Sequence, residues 1–129
     1  MTQAALILVV EDNPANQMLA EAVLQGHGYR VNLAASADEA LASLGHECPD
    51  LILMDIQLPG QDGLSLTRQL KSDPAFASIP VVAVTAHAMP NDRQLSLAAG
   101  CVAHITKPFS GEAFSEQIAG FLRRPIVTA

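Results

Sequence analysis

The sequence is poor in positive charge and in the residues that build zinc or redox centres. Seven lysines and arginines stand against thirteen aspartates and glutamates, which gives a net charge of −6. Because no basic face is available to bind phosphates, this composition argues against nucleic acid as a partner. Cys48 and Cys101 are the two cysteines, and neither has zinc or redox spacing, so we expect free thiols that are buried or half-buried.

Long hydrophobic runs are also missing. The longest wholly apolar run, Ala4 to Val10, is far shorter than the roughly 20 residues that cross a bilayer, so we expect no membrane insertion. Residues 1–5 contain no basic region ahead of a hydrophobic segment, so we expect no secretory signal and a cytoplasmic location. A chain of 129 residues suits one domain, predicted over 1–125 with a short tail at 126–129.

The chain does contain five short apolar segments that alternate with five helical patterns. The second segment alternates apolar and polar residues, which is typical of an edge strand, whereas the first, third and fourth are continuous and indicate buried strands. This alternation predicts an α/β fold with a five-stranded parallel sheet and five helices, in the flavodoxin-like order 2-1-3-4-5. The predicted strands are Ala5–Val10, Tyr29–Leu33, Leu51–Met54, Ile79–Val84 and Val102–Ile105.

The predicted helices begin with clear capping signals. Asn13 can cap the first helix with Pro14 at its first position, Ser36 begins a capping box in the second, and Asp62 can cap the third. The apolar stripe of the first helix is predicted to run through Met18, Leu19, Ala22 and Val23.

Polar residues stand where the predicted strands end. Glu11 and Asp12 follow the first strand, Asp55 ends the third, Thr85 ends the fourth and Lys107 follows the fifth. The carboxyl ends of parallel strands share one rim, and the change in strand order between the first and third strands makes a crevice there. We therefore expect the three carboxylates to lie close together.

Three crowded carboxylates repel one another, since two charges ~5 Å apart cost roughly 3 kcal/mol at an effective dielectric of ~20. Such a cluster recruits a cation, and hard oxygen ligands at an open site favour Mg²⁺. We predict a magnesium site made by Glu11, Asp12, Asp55 and the backbone carbonyl of Gln57. The remaining oxygen of Asp55 could then attack phosphorus, with Thr85 and Lys107 stabilising the phosphoryl oxygens. No strong general base accompanies them, so the predicted product is an acyl phosphate with some lifetime and the chain is not a turnover enzyme.

At these residues the chain resembles the response-regulator receiver domain of two-component signalling, with its CheY-like fold, from Leu6 to Leu122. Within that family it is most similar to stand-alone regulators of the DivK type, since no output domain is visible. The motifs that carry the resemblance are LVVEDN at 8–13, LMDIQLPG at 53–60, VTA at 84–86 and TKP at 106–108.

The resemblance implies that a histidine kinase or a histidine phosphotransfer protein donates the phosphoryl group to Asp55. Thr85 would then move toward that group and Lys107 would pair with it, while the face of the fourth helix, fifth strand and fifth helix changes shape for a downstream protein. The Lys107–Pro108 peptide is commonly cis in the family. The surface around Asn16 to Ala20 would dock the donor, and we expect a monomer or a weak dimer.

One residue departs from the family pattern. His104 stands three residues before the lysine, where the family usually has tyrosine or phenylalanine as a partner of the switching threonine. Two hypotheses stay open: the imidazole swings as the aromatic ring does, or it stays in place and leaves the Thr85 shift less coupled to the output face. His87 borders the predicted site and could influence dephosphorylation, but a plain loop residue is an equal interpretation.

Four other interpretations were compared with the receiver. An FMN-binding flavodoxin would need a hydroxyl- and glycine-rich loop where Glu11 and Asp12 stand. A phosphatase of the haloacid dehalogenase type would need an acid two residues after Asp55, where Gln57 stands. A pseudo-receiver that only binds a partner, and a receiver fragment of a hybrid histidine kinase, both stay open.

Overall fold

The three continuous apolar runs form the centre of a parallel sheet. The computed structural model describes residues 4–56, 58, 62–85, 92–106 and 111–123, with the backbone alone at 92, 93, 106, 111–115 and 123. The strand order is β2-β1-β3-β4-β5, which confirms the predicted order and puts the alternating second strand on an edge. The strands are β1 Leu6–Val10, β2 Arg30–Ala34, β3 Leu51–Asp55, β4 Val81–Thr85 and β5 Ala103–Thr106.

Helices cover both faces of the sheet, as right-handed crossovers between parallel strands require. Every residue of β1, β3 and β4 is buried, so these strands can be apolar throughout. The helices are α1 Pro14–Gly26, α2 Ala37–His46, α3 Gly63–Lys71, α4 Asp92–Ala99 and α5 Gly111–Arg123. Ala40 and Leu44 of α2 with Leu66 and Leu70 of α3 pack on one face, and Ala20 and Leu24 of α1 with Ile118 of α5 pack on the other.

The three predicted N-cap residues are confirmed, whereas the predicted capping box is confirmed only in part, because the side chain of Glu39 accepts from the amide of Ala35 and not from that of Ser36. The side chain of Asn13 accepts from the amides of Ala15 and Asn16, and Pro14 is the first residue of α1. Ser36 accepts from the amide of Glu39, and Asp62 accepts from that of Ser65 at 2.8 Å.

The predicted apolar face of α1 is correct only in part. Val23 is half-buried and packs against the core as predicted, whereas the other three residues do not. Met18 is 70% exposed, and Leu19 and Ala22 are exposed as well, whereas Ala20 and Leu24 are buried. The face of α1 that packs on the sheet therefore carries Ala20 and Leu24. The side chains of Met18, Leu19 and Ala22 form a small apolar surface in solvent.

Two further expectations can be compared with the structure. Both cysteines are free thiols, and Cys101 is buried as expected, but Cys48 is exposed. Among the helices in the described ranges, none has the length and apolarity that a membrane span needs. The domain boundary at 125 and the tail at 126–129 stay predictions, because residues 124–129 lie outside the described ranges.

Candidate metal site at the carboxyl edge of the sheet

The register of the two central strands brings the three predicted carboxylates together. Val10 of β1 pairs with Met54 of β3, so Glu11 and Asp55 are the next residues on adjacent strands. One carboxylate oxygen each from Glu11, Asp12 and Asp55 lies within 4.8 Å of the others. Glu11 is only 1% exposed and Asp55 4%, whereas Asp12 is open to solvent. Burial therefore restrains the side chains of Glu11 and Asp55, whereas Asp12 lies on the solvent side of the cluster.

The position of Asp55 depends on a glycine that the sequence analysis missed. The amide of Gly63 donates to the carbonyl of Ile56 at 3.3 Å, which brings the start of α3 against the end of β3. A Cβ at Gly63 would overlap the carbonyl oxygen of Asp55 and lie 2.8 Å from the Cα of Ile56. Only glycine permits this approach, and its place directly after the capping Asp62 was the available signal.

The connection between β1 and α1 is held by hydrogen bonds at each step. The amide of Glu11 donates to the carbonyl of Ala34 on β2 at 2.9 Å, which extends the ladder beyond the strand. The amide of Asn13 donates to Oε2 of Glu11 at 3.1 Å, and Nε2 of Gln17 donates to the backbone carbonyl of Glu11 at 2.6 Å. The acidic loop is thus built as part of the sheet edge.

The donor set fits a magnesium ion. Ligands at ~2.1 Å in octahedral geometry stand roughly 3 Å apart when adjacent and roughly 4.2 Å apart when opposite. Carboxylate oxygens that already lie within 4.8 Å need only small rotations to reach those separations. All three are hard oxygen ligands, and the exposed Asp12 leaves that side open to the waters that Mg²⁺ retains.

Thr85 stands at the end of β4 and is fully buried. Its neighbour Val84 packs with the α1 and α5 side of the sheet, so Thr85 points to the opposite face. Asp55 pairs with Val84 in the ladder, which brings the carboxyl ends of β3 and β4 side by side. The other predicted site residues, Gln57, Lys107 and Pro108, lie outside the described residues, as does His87.

His104 lies on the same face of the sheet as Thr85. It pairs with Ala83 in the ladder, and its neighbours Ala103 and Ile105 pack on the α1 and α5 side. Within the part of the chain that the structure describes, the buried Nε2 of His104 has no hydrogen-bond partner. The same holds for the buried Oγ of Ser96 on α4, the helix that packs against β5. His104 and Thr85 thus share one face of the sheet on neighbouring strands. That the imidazole swings as the aromatic residue of the family does, or stays in place, are the two hypotheses that remain predictions.

Comparison with known proteins gives the class of this fold and site. Residues 7–119 match the model of the response regulator receiver domain, and the chain belongs to this family. It is 43% identical over 116 residues to the polar-differentiation response regulator DivK of Brucella ovis, covering 90% of this chain and 94% of that protein. The chain is thus a DivK-like receiver domain of two-component signalling.

Solved structures agree with this assignment. A CheY-like receiver domain protein from Methanospirillum hungatei superposes with a TM-score of 0.83 at 32% identity, covering 92% of this chain and 94% of that one. The receiver domain of a sensor histidine kinase from Pseudomonas aeruginosa superposes with a TM-score of 0.79 at 39% identity, covering 95% and 98%. That second structure has a magnesium ion coordinated in its active-site cleft.

Proposed function

We propose that this chain is a phosphorelay response regulator that accepts a phosphoryl group on Asp55, with Mg²⁺, from a histidine kinase or a histidine phosphotransfer protein. The observation that carries the proposal is the meeting of three carboxylates within 4.8 Å at the ends of two central strands. A cluster of like charges of which two are buried is costly, and a divalent ion bound by these oxygens would offset that cost. The magnesium-bound receiver from Pseudomonas aeruginosa supports the choice of metal.

The chain's own residues divide the work of phosphoryl transfer. Glu11, Asp12 and Asp55, with the carbonyl of Gln57, would hold Mg²⁺, which when bound neutralises charge on the phosphoryl oxygens. The second oxygen of Asp55 attacks phosphorus, and the bond from phosphorus to the donor's histidine nitrogen breaks. The hydroxyl of Thr85 and the ammonium of Lys107 stabilise the phosphoryl oxygens. Asp55 then carries an acyl phosphate, and the protein acts as a phosphoacceptor, not as a turnover enzyme.

Exposed apolar side chains on two helices support the proposal that this chain binds a phosphoryl donor and a downstream protein. Met18 and Leu19 of α1 are exposed, and both belong to the surface on which the phosphoryl donor is predicted to dock. Leu95 and Leu97 of α4 are exposed on the helix that packs against β5, which suits a downstream protein partner. A monomer or weak dimer in the cytoplasm stays our expectation.

Acetyl phosphate tests the proposal without a partner protein. Incubation with acetyl phosphate and MgCl₂, followed by intact mass measurement, should add one phosphate to the wild type and none to Asp55→Asn. Asp38→Asn, an exposed acid in the first turn of α2, is the matched control and should still gain phosphate. A wild type that gains no phosphate would support the pseudo-receiver, and phosphate on Asp55→Asn would overturn the assignment of Asp55. The chain has no tryptophan, so the usual fluorescence quenching assay does not apply.

A second candidate is the receiver segment of a hybrid histidine kinase. The 39% identity to the receiver domain of a sensor kinase favours it. An antibody raised against this chain separates the two in lysates of the source cells. A band near 13.6 kDa indicates a stand-alone regulator, and a much larger band indicates the hybrid kinase.

A further inference from the structure

The inner face of α1 includes a polar residue that packing alone does not require. Gln17 stands three residues before Ala20 and seven before Leu24, both buried, so it lies on the same stripe of the helix. It is half-buried at the end of the stripe nearest the acidic site. Its side chain leaves the helix and donates from Nε2 to the backbone carbonyl of Glu11 at 2.6 Å.

This hydrogen bond fixes the peptide that leads into Asp12. The carbonyl of Glu11 and the amide of Asp12 belong to one planar peptide group, so orienting the carbonyl orients the whole plane. The amide of Glu11 is already bound to Ala34 on β2. Gln17 therefore holds the peptide before Asp12, while the amide of Asn13, which donates to Oε2 of Glu11, holds the backbone after it.

Of the three carboxylates, Asp12 is the one that burial does not hold. Glu11 and Asp55 are enclosed by the sheet edge, whereas Asp12 is exposed. Its placement near the other two depends on the backbone that carries it. We propose that Gln17 is a positioning residue for the magnesium site and acts by holding the Glu11–Asp12 peptide so that Asp12 faces Asp55. The inference deepens the proposed function and rests on it.

Loss of the Gln17 donor has a defined consequence. Asp12 then samples orientations that point away from the site, so the bound geometry must be reached from a broader ensemble. One neutral hydrogen bond sets the scale, and we expect the Kd for Mg²⁺ to rise about three- to tenfold. The core contacts of Ala20 and Leu24 are unchanged, so the helix should stay folded.

The test is a titration of MgCl₂ alone, followed by backbone amide chemical shifts. Gln17→Met keeps the length of the side chain and removes the donor, and it should raise the Kd about three- to tenfold. Gln25→Met, at an exposed glutamine near the other end of α1, is the matched control and should bind as the wild type does. Equal affinities of Gln17→Met and the wild type would overturn the inference.

A double-mutant cycle shows whether Gln17 acts through Asp12. In an Asp12→Asn background, adding Gln17→Met should change the Mg²⁺ affinity by less than twofold, because the ligand that Gln17 positions is already lost. The same three- to tenfold loss in both backgrounds would assign the effect to some other route and overturn the inference. Gln17→Leu repeats the comparison if Gln17→Met lowers the thermal midpoint measured without metal.

The proposed function and this inference fail in different ways. A wild type that binds no Mg²⁺ overturns the magnesium site and the role of Gln17 together. A wild type that binds Mg²⁺ and gains phosphate, beside a Gln17→Met that matches it in affinity, overturns the role of Gln17 alone. The bond itself can be observed in the wild type as a scalar coupling between Nε2 of Gln17 and the carbonyl carbon of Glu11, and its absence would also count against the inference.

Discussion

One corner of the molecule brings three like charges within 4.8 Å of one another, those of Glu11, Asp12 and Asp55. At another corner the ammonium of Lys71 faces backbone carbonyls that accept its hydrogen bonds. The ammonium of Lys71 donates to the carbonyl of Ile79 at 2.6 Å and to that of Ala77 at 3.1 Å. Burial lowers the pKa of Lys71 from 10.5, and the nearby Cys101 acts in the opposite direction. The acids at the first corner thus face groups of the same charge, whereas the ammonium at the second corner faces hydrogen-bond acceptors.

The contrast between the two corners distinguishes a polar group that stabilises the fold, Lys71, from polar groups that serve the proposed function, the three acids. At the Lys71 corner the ammonium donates to two backbone carbonyls, so loss of Lys71 should destabilise the protein. At the acidic corner like charges repel, so loss of one acid should stabilise the protein while ending its function. Opposite signs of stability change at the two corners are therefore the expectation to be tested.

The largest effect is expected where the backbone of the acidic corner is closed by Gly63. Gly63→Ala should lower the free energy of unfolding by about 3 kcal/mol, because the new methyl group meets backbone that cannot move aside easily. It should also slow phosphate incorporation, since Asp55 must shift. Urea unfolding measures the first effect. Gly45→Ala in α2, where no atom lies within 4 Å of the new Cβ, is the control and should instead be neutral or stabilising by ~0.5–1 kcal/mol.

Lys71→Met sharpens the comparison from the other corner. It removes a charged donor from the carbonyls of Ala77 and Ile79 and leaves the apolar stem, so we expect a loss of about 2 kcal/mol in urea unfolding. Phosphate incorporation should be unchanged in the folded protein. Arg68→Met, at an exposed position of the same helix, removes the same charge and should cost less than ~0.5 kcal/mol. Equal losses in the two variants would contradict a specific role for the Lys71 hydrogen bonds.

His104 offers a smaller effect of the opposite sign. Its Nε2 is buried and has no hydrogen-bond partner among the described residues, and an unsatisfied group of this kind costs stability. His104→Phe, which restores the usual residue of the family, should raise the free energy of unfolding by about 1 kcal/mol in the same urea assay. A lower free energy of unfolding for His104→Phe would contradict this prediction and would show that the imidazole stabilises the fold.

The smallest effect concerns the pH dependence of stability at the Lys71 corner. Burial raises the pKa of the Cys101 thiol above 9.0, so the folded state keeps that proton to higher pH than the unfolded state does. Stability from this group is complete below pH 9 and is lost as the pH rises through the raised pKa. Cys101→Ala should therefore lose less stability than the wild type between pH 8 and pH 10.5. Cys101 also raises the pKa of Lys71, so its removal leaves that pKa lowered further. A lowered lysine pKa makes stability rise with pH, so this second effect acts in the same direction.

Much of the fold could be predicted from hydrophobic pattern alone. The buried strands β1, β3 and β4 are apolar in every residue before their polar ends, and the alternation in β2 marked it as an edge. The meeting of Glu11, Asp12 and Asp55 followed from the strand order, because that order decides which strand ends are adjacent.

What the sequence could not supply was orientation at the level of single residues. Met18, Leu19 and Ala22 are exposed on α1 although they are apolar. The predicted apolar stripe includes them and therefore misses the face that carries Gln17. The role of Gly63 depends on how closely α3 approaches the carbonyl of Asp55, and no local pattern encodes that distance. The burial of Nε2 of His104 likewise depends on tertiary packing, which no local pattern encodes.

Urea unfolding of the wild type and Asp55→Asn, each in EDTA and in MgCl₂, tests the central claim most directly. Without metal, Asp55→Asn should be more stable by ~1–3 kcal/mol, because one of three crowded charges is gone. At ten times its Kd, Mg²⁺ should stabilise the wild type by ~1.4 kcal/mol and leave Asp55→Asn nearly unchanged. An Asp55→Asn that is less stable than the wild type in EDTA, with no effect of Mg²⁺ on either protein, would contradict the account.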